Sequence, residues 1–192
     1  MATPAFITEL RRRIGHDLLW LIGCSGVVLR GEGPDTEVLL VRRADDGRWT
    51  PVCGIVEPGE RPDQTVVREA AEEAGVQVRV ESLLRIDVGE PITYPNGDRC
   101  QYLDHDFWCR WLSGEPRVGD DESSEVGFFP VGDLPDLDPV NSRRVRTALR
   151  AAADPTSLRA AAHPTAWHGV VLGGEEPAAE DERPCGAGEG AR

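Results

Sequence analysis

Hydrophobic and polar positions alternate in a way that divides the chain into recognisable elements. Residues 4 to 15, PAFITELRRRIG, place Phe6, Ile7, Leu10 and Ile14 at helical spacing, with Pro4 early and Gly15 as a stop. This predicts a short helix packed on the domain. Strand-like runs follow at Leu18 to Leu29 and Glu37 to Arg43, each bounded by Gly, Pro or Asp clusters. A turn at Ala44 to Arg48 leads to Trp49 to Val52, and a loop punctuated by Gly and Pro covers Gly54 to Glu60. A helix comes next, from about Pro62 to Ala74. Pro62 suits the first helical position, Asp63 the positive helix end and Gly75 a left-handed stop. Strand patterns resume at Val76 to Val88, Gln101 to Trp111 and Val126 to Phe129, with a turn at Tyr94 to Asp98 able to close a hairpin. Asn141 to Ala153 reads as a final helix. The order predicts an α+β domain, an αβα sandwich around a mixed sheet. Its expected divisions are an N-terminal helix in residues 1–16, one domain in 17–150 and a mobile Ala/Gly/Pro/Glu-rich tail in 151–192.

Placing the central helix on a wheel separates two faces. Val66, Val67, Ala70, Ala71 and Ala74 fall within an arc of about 140°, the expected buried face. Glu69, Glu72 and Glu73 fall within a separate arc of about 100°, with Arg68 beside Glu72. Glutamates at this spacing repel by a few tenths of a kcal/mol when exposed, and by more when desolvated. Water and arginines could offset that repulsion on a solvated face. Hard divalent cations could also do so, because Mg²⁺ and Mn²⁺ prefer carboxylate oxygens and keep positions open for phosphate and water.

The charge balance narrows the partners. A net charge of -13, spread along 192 residues, makes long nucleic acids and anionic membranes poor partners. A small anionic substrate fits only if cations bridge it to the protein. The apolar run from Leu18 to Leu29 is too short and too interrupted to span a bilayer, and the N-terminus lacks a signal-peptide layout, so a cytoplasmic protein is expected. Five widely spaced cysteines, with no CxxC pair, read as reduced thiols.

The loop before the helix decides between solvent and cations. Residues 54 to 76, GIVEPGERPDQTVVREAAEEAGV, resemble the Nudix box, G-x5-E-x7-R-E-U-x-E-E-x-G-U with U apolar. The match holds at Gly54, Glu60, Arg68, Glu69, Ala70, Glu72, Glu73, Gly75 and Val76. The strand pattern from about Asp17 to Arg150 looks like a whole Nudix domain. That resemblance implies hydrolysis of a nucleoside diphosphate linked to another moiety, by water attack on phosphorus, with Mg²⁺ or Mn²⁺ as cofactor. It implies metal binding by Glu69, Glu72 and Glu73, with the backbone carbonyl of Cys53 as a further ligand. It also implies that Arg68 pairs with Glu60 to fix the loop against the helix, with Gly54, Glu57, Glu60 and Gly75 as structural positions of the box. Phosphoryl transfer depends mainly on charge neutralisation and alignment, which agrees with such a site.

The general base stays open between a box glutamate, Glu69 or Glu72, and a distal one, Glu122 or Glu125. Substrate choice stays open too. Pro91 is a cue for ADP-ribose in this family and Tyr94 one for dinucleoside polyphosphates, and the chain offers both. Nucleotide sugars and nucleoside triphosphates fit the same chemistry. Tyr94, Tyr102 and Phe107 could stack a base or lie in the core, and Arg42, Arg43 and Arg48 could grip distal phosphates. His105, in Asp104-His105-Asp106, reads as a polar edge residue. His16, His163 and His168 are scattered. Two alternatives remain: a nucleotide-sensing module that binds without cleaving, and removal of diphosphate from RNA 5′ ends. Assembly as a homodimer is also open.

Overall fold

The computed structural model describes residues 3–119 and 122–154. The expected tail, with His163, His168 and Cys185, lies outside the described residues apart from its first four positions. The elements run α1 (Ala5–Ile14), β1 (Leu19–Arg30), β2 (Glu37–Arg43), β3 (Trp49–Thr50), β4 (Val52–Ile55), α2 (Pro62–Ala74), β5 (Gln77–Val88), β6 (Ile92–Thr93), β7 (Arg99–Ser113), β8 (Ser123–Pro130) and α3 (Pro139–Ala153). A single 3-10 turn, Gly33–Asp35, joins β1 to β2. The described strands form one sheet with the central order β3-β2-β1-β7-β5, to which β4 adds on β1, β6 on β7 and β8 on β2. The β1–β7 pair is parallel and the other pairs are antiparallel, so the sheet is mixed as expected.

Alternation along β1 assigns its two faces. Cys24 and Val28 join Val66, Ala70 and Ala74 of α2 in one core, together with Phe107 and Cys109 of β7. Val27 and Leu29 join Val145, Ala148 and Ala151 of α3 in another, together with Trp108. Leu19 and Leu21 pack with Ile7 of α1 and Cys100. Helices therefore cover both faces. Among the described residues no helix is long and apolar enough to cross a membrane.

Two local departures from the sequence reading matter for the site. The strand expected over Trp49 to Val52 divides at Pro51: β3 pairs with β2, whereas β4 pairs with β1. Proline has no N–H to give to a ladder, so the chain changes partners there. In consequence Gly54 and Ile55, expected in the loop, extend β4 instead.

The second departure concerns α2. Its bounds are those expected, and Gly75 adopts φ 69°, the left-handed conformation that closes a helix. Its buried side is rotated, however. Thr65, Val66, Glu69, Ala70, Glu73 and Ala74 are buried, while Val67 and Ala71 are only half-buried. The acids do not form one solvated patch: Glu72 faces solvent, and Glu69 and Glu73 turn inward. The physical reason is the close approach of β4, which takes α2 down onto Gly54.

Candidate active site

Gly54 makes this approach possible. A Cβ built there would lie 2.3 Å from Glu69 Oε1, well inside contact distance, so any side chain at 54 would displace the glutamate. Glu69 is left 1% exposed. Arg68 Nη1 donates to Glu69 Oε1 at 2.9 Å, but Glu69 Oε2 is buried with no hydrogen-bond partner among the described residues. Burial pushes the Glu69 carboxyl up to about 7, outweighing the attraction of Arg68.

Arg68 is the hub of this cluster. Its Nε and Nη2 donate to Glu60 Oε1 and Oε2 at 2.8 and 3.0 Å, a two-pronged pairing that ties the loop to α2. Its Nη1 also reaches Glu72 Oε2 at 2.9 Å. Arg68 and the Thr65 hydroxyl, 2.7 Å away, hold Glu60 down at about 2. Glu57 contributes through its backbone, donating its N–H to Glu60 Oε2 at 3.3 Å. One guanidinium therefore answers three carboxylates, and Glu73 is a fourth acid on the inward side. The C-terminal end of its helix is tied to the segment after β7 by Gly119 N–H donating to the Glu73 carbonyl at 3.1 Å.

A divalent cation can be tested against this arrangement. With Arg68 drawn onto the carboxylates, no three His, Cys, Asp or Glu side chains among the described residues stand grouped as a metal site. The chemistry of the donors nevertheless fits a hard cation: a surplus of carboxylates, and one desolvated carboxylate oxygen with no hydrogen-bond partner among the described residues. Cys53 adjoins this region on β4. Its thiol lies 3.2 Å from the Pro51 carbonyl and 3.4 Å from Ser25 Oγ, and burial pushes it up to about 11. That thiol is not a ready nucleophile.

The remaining candidates occupy other positions. Arg42 Nη1 stands 3.5 Å from Glu125 across the β2–β8 pair, and Arg48 is drawn to Asp46 and, at 4.0 Å, to Asp138 at the start of α3. All three exposed side chains already have ionic partners. Glu122, beside the undescribed Asp120 and Asp121, accepts the Ala44 N–H on its carbonyl at 2.7 Å. The Tyr94 hydroxyl is 2.9 Å from that of Tyr102, and both half-buried rings pack against the cluster of Ile7, Leu19, Leu21 and Cys100.

A second charged group was missed in the sequence. Arg144 of α3 donates from Nε to Asp106 Oδ1 at 2.7 Å and from Nη2 to Asp104 Oδ2 at 3.2 Å. In register, Ser25 lies between Cys53 and Asp106, and Gly23 between Ile55 and Asp104. This group therefore sits one strand from the start of the box. The available signal was two acids at i, i+2 beside the apolar stretch Phe107 to Cys109, which places both on one sheet face.

With this geometry, the comparisons with known proteins agree on the class. A model of the NUDIX domain matches residues 22–149, and the chain belongs to that family. Among individual relatives, it is 36% identical over 117 residues to a NAD-capped RNA hydrolase of Deinococcus radiodurans, covering 59% of this chain and 38% of that one. It is 34% identical over 106 residues to an ADP-ribose pyrophosphatase of Methanocaldococcus jannaschii, covering 54% and 60% respectively. Each match thus spans less than two thirds of the relative's length. The crystal structure of a MutT NUDIX hydrolase from Burkholderia pseudomallei is 26% identical, with a TM-score of 0.53 over 67% of this chain and 98% of that one.

Proposed function

We propose that the protein is a metal-dependent pyrophosphohydrolase that cleaves the diphosphate linkage of a nucleoside diphosphate joined to another moiety. The observation that carries this reading is the buried Glu69 carboxylate, whose Oε2 lacks a hydrogen-bond partner among the described residues beside the side-chain-free Gly54. Glu69, Glu72, Glu73 and the Cys53 carbonyl are the groups that would hold Mg²⁺, or Mn²⁺ in its place. When bound, such a cation neutralises diphosphate charge and lowers the pKa of coordinated water. Arg68 and Glu60 keep the loop against α2, and Arg68 limits carboxylate repulsion before the cation arrives. Glu122 and Glu125 join the box glutamates as candidates for taking the proton of the attacking water. Arg42 and Arg48 are candidates for gripping a distal phosphate, and Tyr94 for the substrate's organic part.

The names of the relatives support two substrate classes. Similarity to an ADP-ribose pyrophosphatase favours ADP-ribose or a related nucleotide sugar. Similarity to a NAD-capped RNA hydrolase supports a nucleotide cap as the second reading, although the net charge of -13 opposes extended contact with RNA. The test is a panel of ADP-ribose, nucleotide sugars, dinucleoside polyphosphates, nucleoside triphosphates and capped RNA, with Mg²⁺ or Mn²⁺ and product analysis. Metal-dependent scission of a phosphoanhydride supports the reading. Tight binding of every ligand tried with no cleavage would replace it with a sensing module.

A further inference from the structure

Helix α1 covers Leu19 and Leu21 on one face of β1, and α3 covers Val27 and Leu29 further along the same face. Gly23 and Ser25 lie between them. Across the strands at Gly23 the order is Ile55 on β4, Gly23 on β1, Asp104 on β7 and Asp87 on β5. Two strand spacings, roughly 10 Å, therefore separate the Asp104 backbone from the strand that opens the box. Glu69 meets Gly54 on the opposite face, but the Cys53 side chain lies on this face beside Ser25 and feels both Glu73 and Asp104, so a group leaving the box past Cys53 on this face is directed toward Asp104.

The side chains at this level are specific. A Cβ on Gly23 would lie 2.3 Å from Asp104 Oδ1 and 3.4 Å from Tyr102 Cδ1, so a glycine is needed for the carboxylate to fold over the strand. Arg144 takes Asp104 Oδ2, and nothing among the described residues hydrogen-bonds Oδ1. Asp104 keeps 28% of its side chain exposed, whereas Asp106, bound to the same arginine, is 5% exposed. Burial raises the Asp104 carboxyl above its usual range despite Arg144, which leaves its charge only partly answered.

We propose that Asp104 is a specificity-determining residue whose Oδ1 accepts a hydrogen bond from an N–H or O–H donor on the group joined to the diphosphate. This rests on the hydrolase reading for the position of the diphosphate. The donor is either an amine of the base or a hydroxyl of the sugar. A further phosphate at that end would be repelled.

The test depends on sign. A bystander carboxylate repels any polyanion, so Asp104→Asn would tighten nucleotide binding, whereas loss of a charge-assisted acceptor would weaken it. Equilibrium binding of ADP-ribose, inosine diphosphate ribose and ADP, each as its non-hydrolysable methylene-bridged analogue and with Mg²⁺ present, would be compared for wild type, Asp104→Asn and Asp106→Asn. Asp104→Asn is expected to bind ADP-ribose about tenfold more weakly. The loss vanishes with inosine diphosphate ribose if the donor is the base amine, and with ADP if it is the terminal sugar. Asp106→Asn should lower the melting temperature and leave the relative affinities unchanged. Equal or tighter binding of all three probes by Asp104→Asn, the same loss in Asp106→Asn, or no binding by wild type would overturn the proposal. Weaker binding by Asp104→Asn in a protein that hydrolyses nothing would sink the hydrolase reading and leave this inference standing.

Discussion

Two groups of buried acids flank β1, and they are balanced differently. On the α3 side Arg144 meets Asp106 and Asp104 with separate nitrogens, and Asn141 Oδ1 accepts its remaining arm at 3.2 Å. On the α2 side Arg68 is divided among Glu60, Glu69 and Glu72, and one oxygen of the most buried acid has no partner among the described residues. A satisfied buried pair holds a fold in one arrangement, while an unsatisfied buried carboxylate costs stability until something binds it. The contrast is between the Arg144–Asp106 pair, which braces the sheet, and a cluster arranged to receive a cation.

The largest expected difference lies in activity. Glu69→Gln and Glu73→Gln should each lower kcat by about a thousandfold under saturating Mg²⁺ while the fold persists, as steady-state kinetics and circular dichroism would show. Stability should respond in the opposite pattern. Asp106→Asn removes the more buried of the two carboxylates that face Arg144 and should cost about 3 kcal/mol in urea denaturation, whereas metal-free Glu69→Gln should equal or exceed wild type. Gly54→Ala should cost about 2 kcal/mol and weaken metal binding, because its Cβ would meet Glu69; an unchanged denaturation midpoint would show that α2 can move aside.

Acidity distinguishes the two ends of the Arg68 cluster. The Glu69 carboxyl is raised to about 7, so its contribution to metal-free stability is full below the ordinary glutamate value and is lost as pH rises through about 7. Glu60 is lowered to about 2, so its contribution is present above the ordinary value and is lost as pH falls toward 2. Metal binding should therefore release about one proton near pH 6 and far fewer near pH 8.5, measurable by calorimetry in buffers of different ionisation heat. The smallest effect is expected at the exposed Arg42–Glu125 pair, where Arg42→Gln should change stability by less than about 0.5 kcal/mol.

Much of this was legible in the sequence. Spacing alone placed α2 at Pro62–Ala74 and β2 at Glu37–Arg43, because both have clear periods and clear stops. The inward turn of Glu69 was not legible, since a helical wheel ranks residues by polarity and cannot register that Gly54 leaves room for a carboxylate. Arg144 was missed for a related reason. Its partners lie 38 and 40 residues earlier on β7, and only the sheet register brings them together. Tyr94 read equally well as a ligand contact or a core residue, and its hydroxyl pairing with Tyr102 depends on the hairpin at 94–98.

The most direct measurement titrates Mg²⁺ or Mn²⁺ into metal-free wild type and Glu69→Gln while following the melting temperature. If the unmatched oxygen of Glu69 is a cation seat, metal-free Glu69→Gln melts at or above wild type, and metal raises wild type by several degrees and the variant hardly at all. Equal rises in both proteins, or no rise in wild type, would contradict the account.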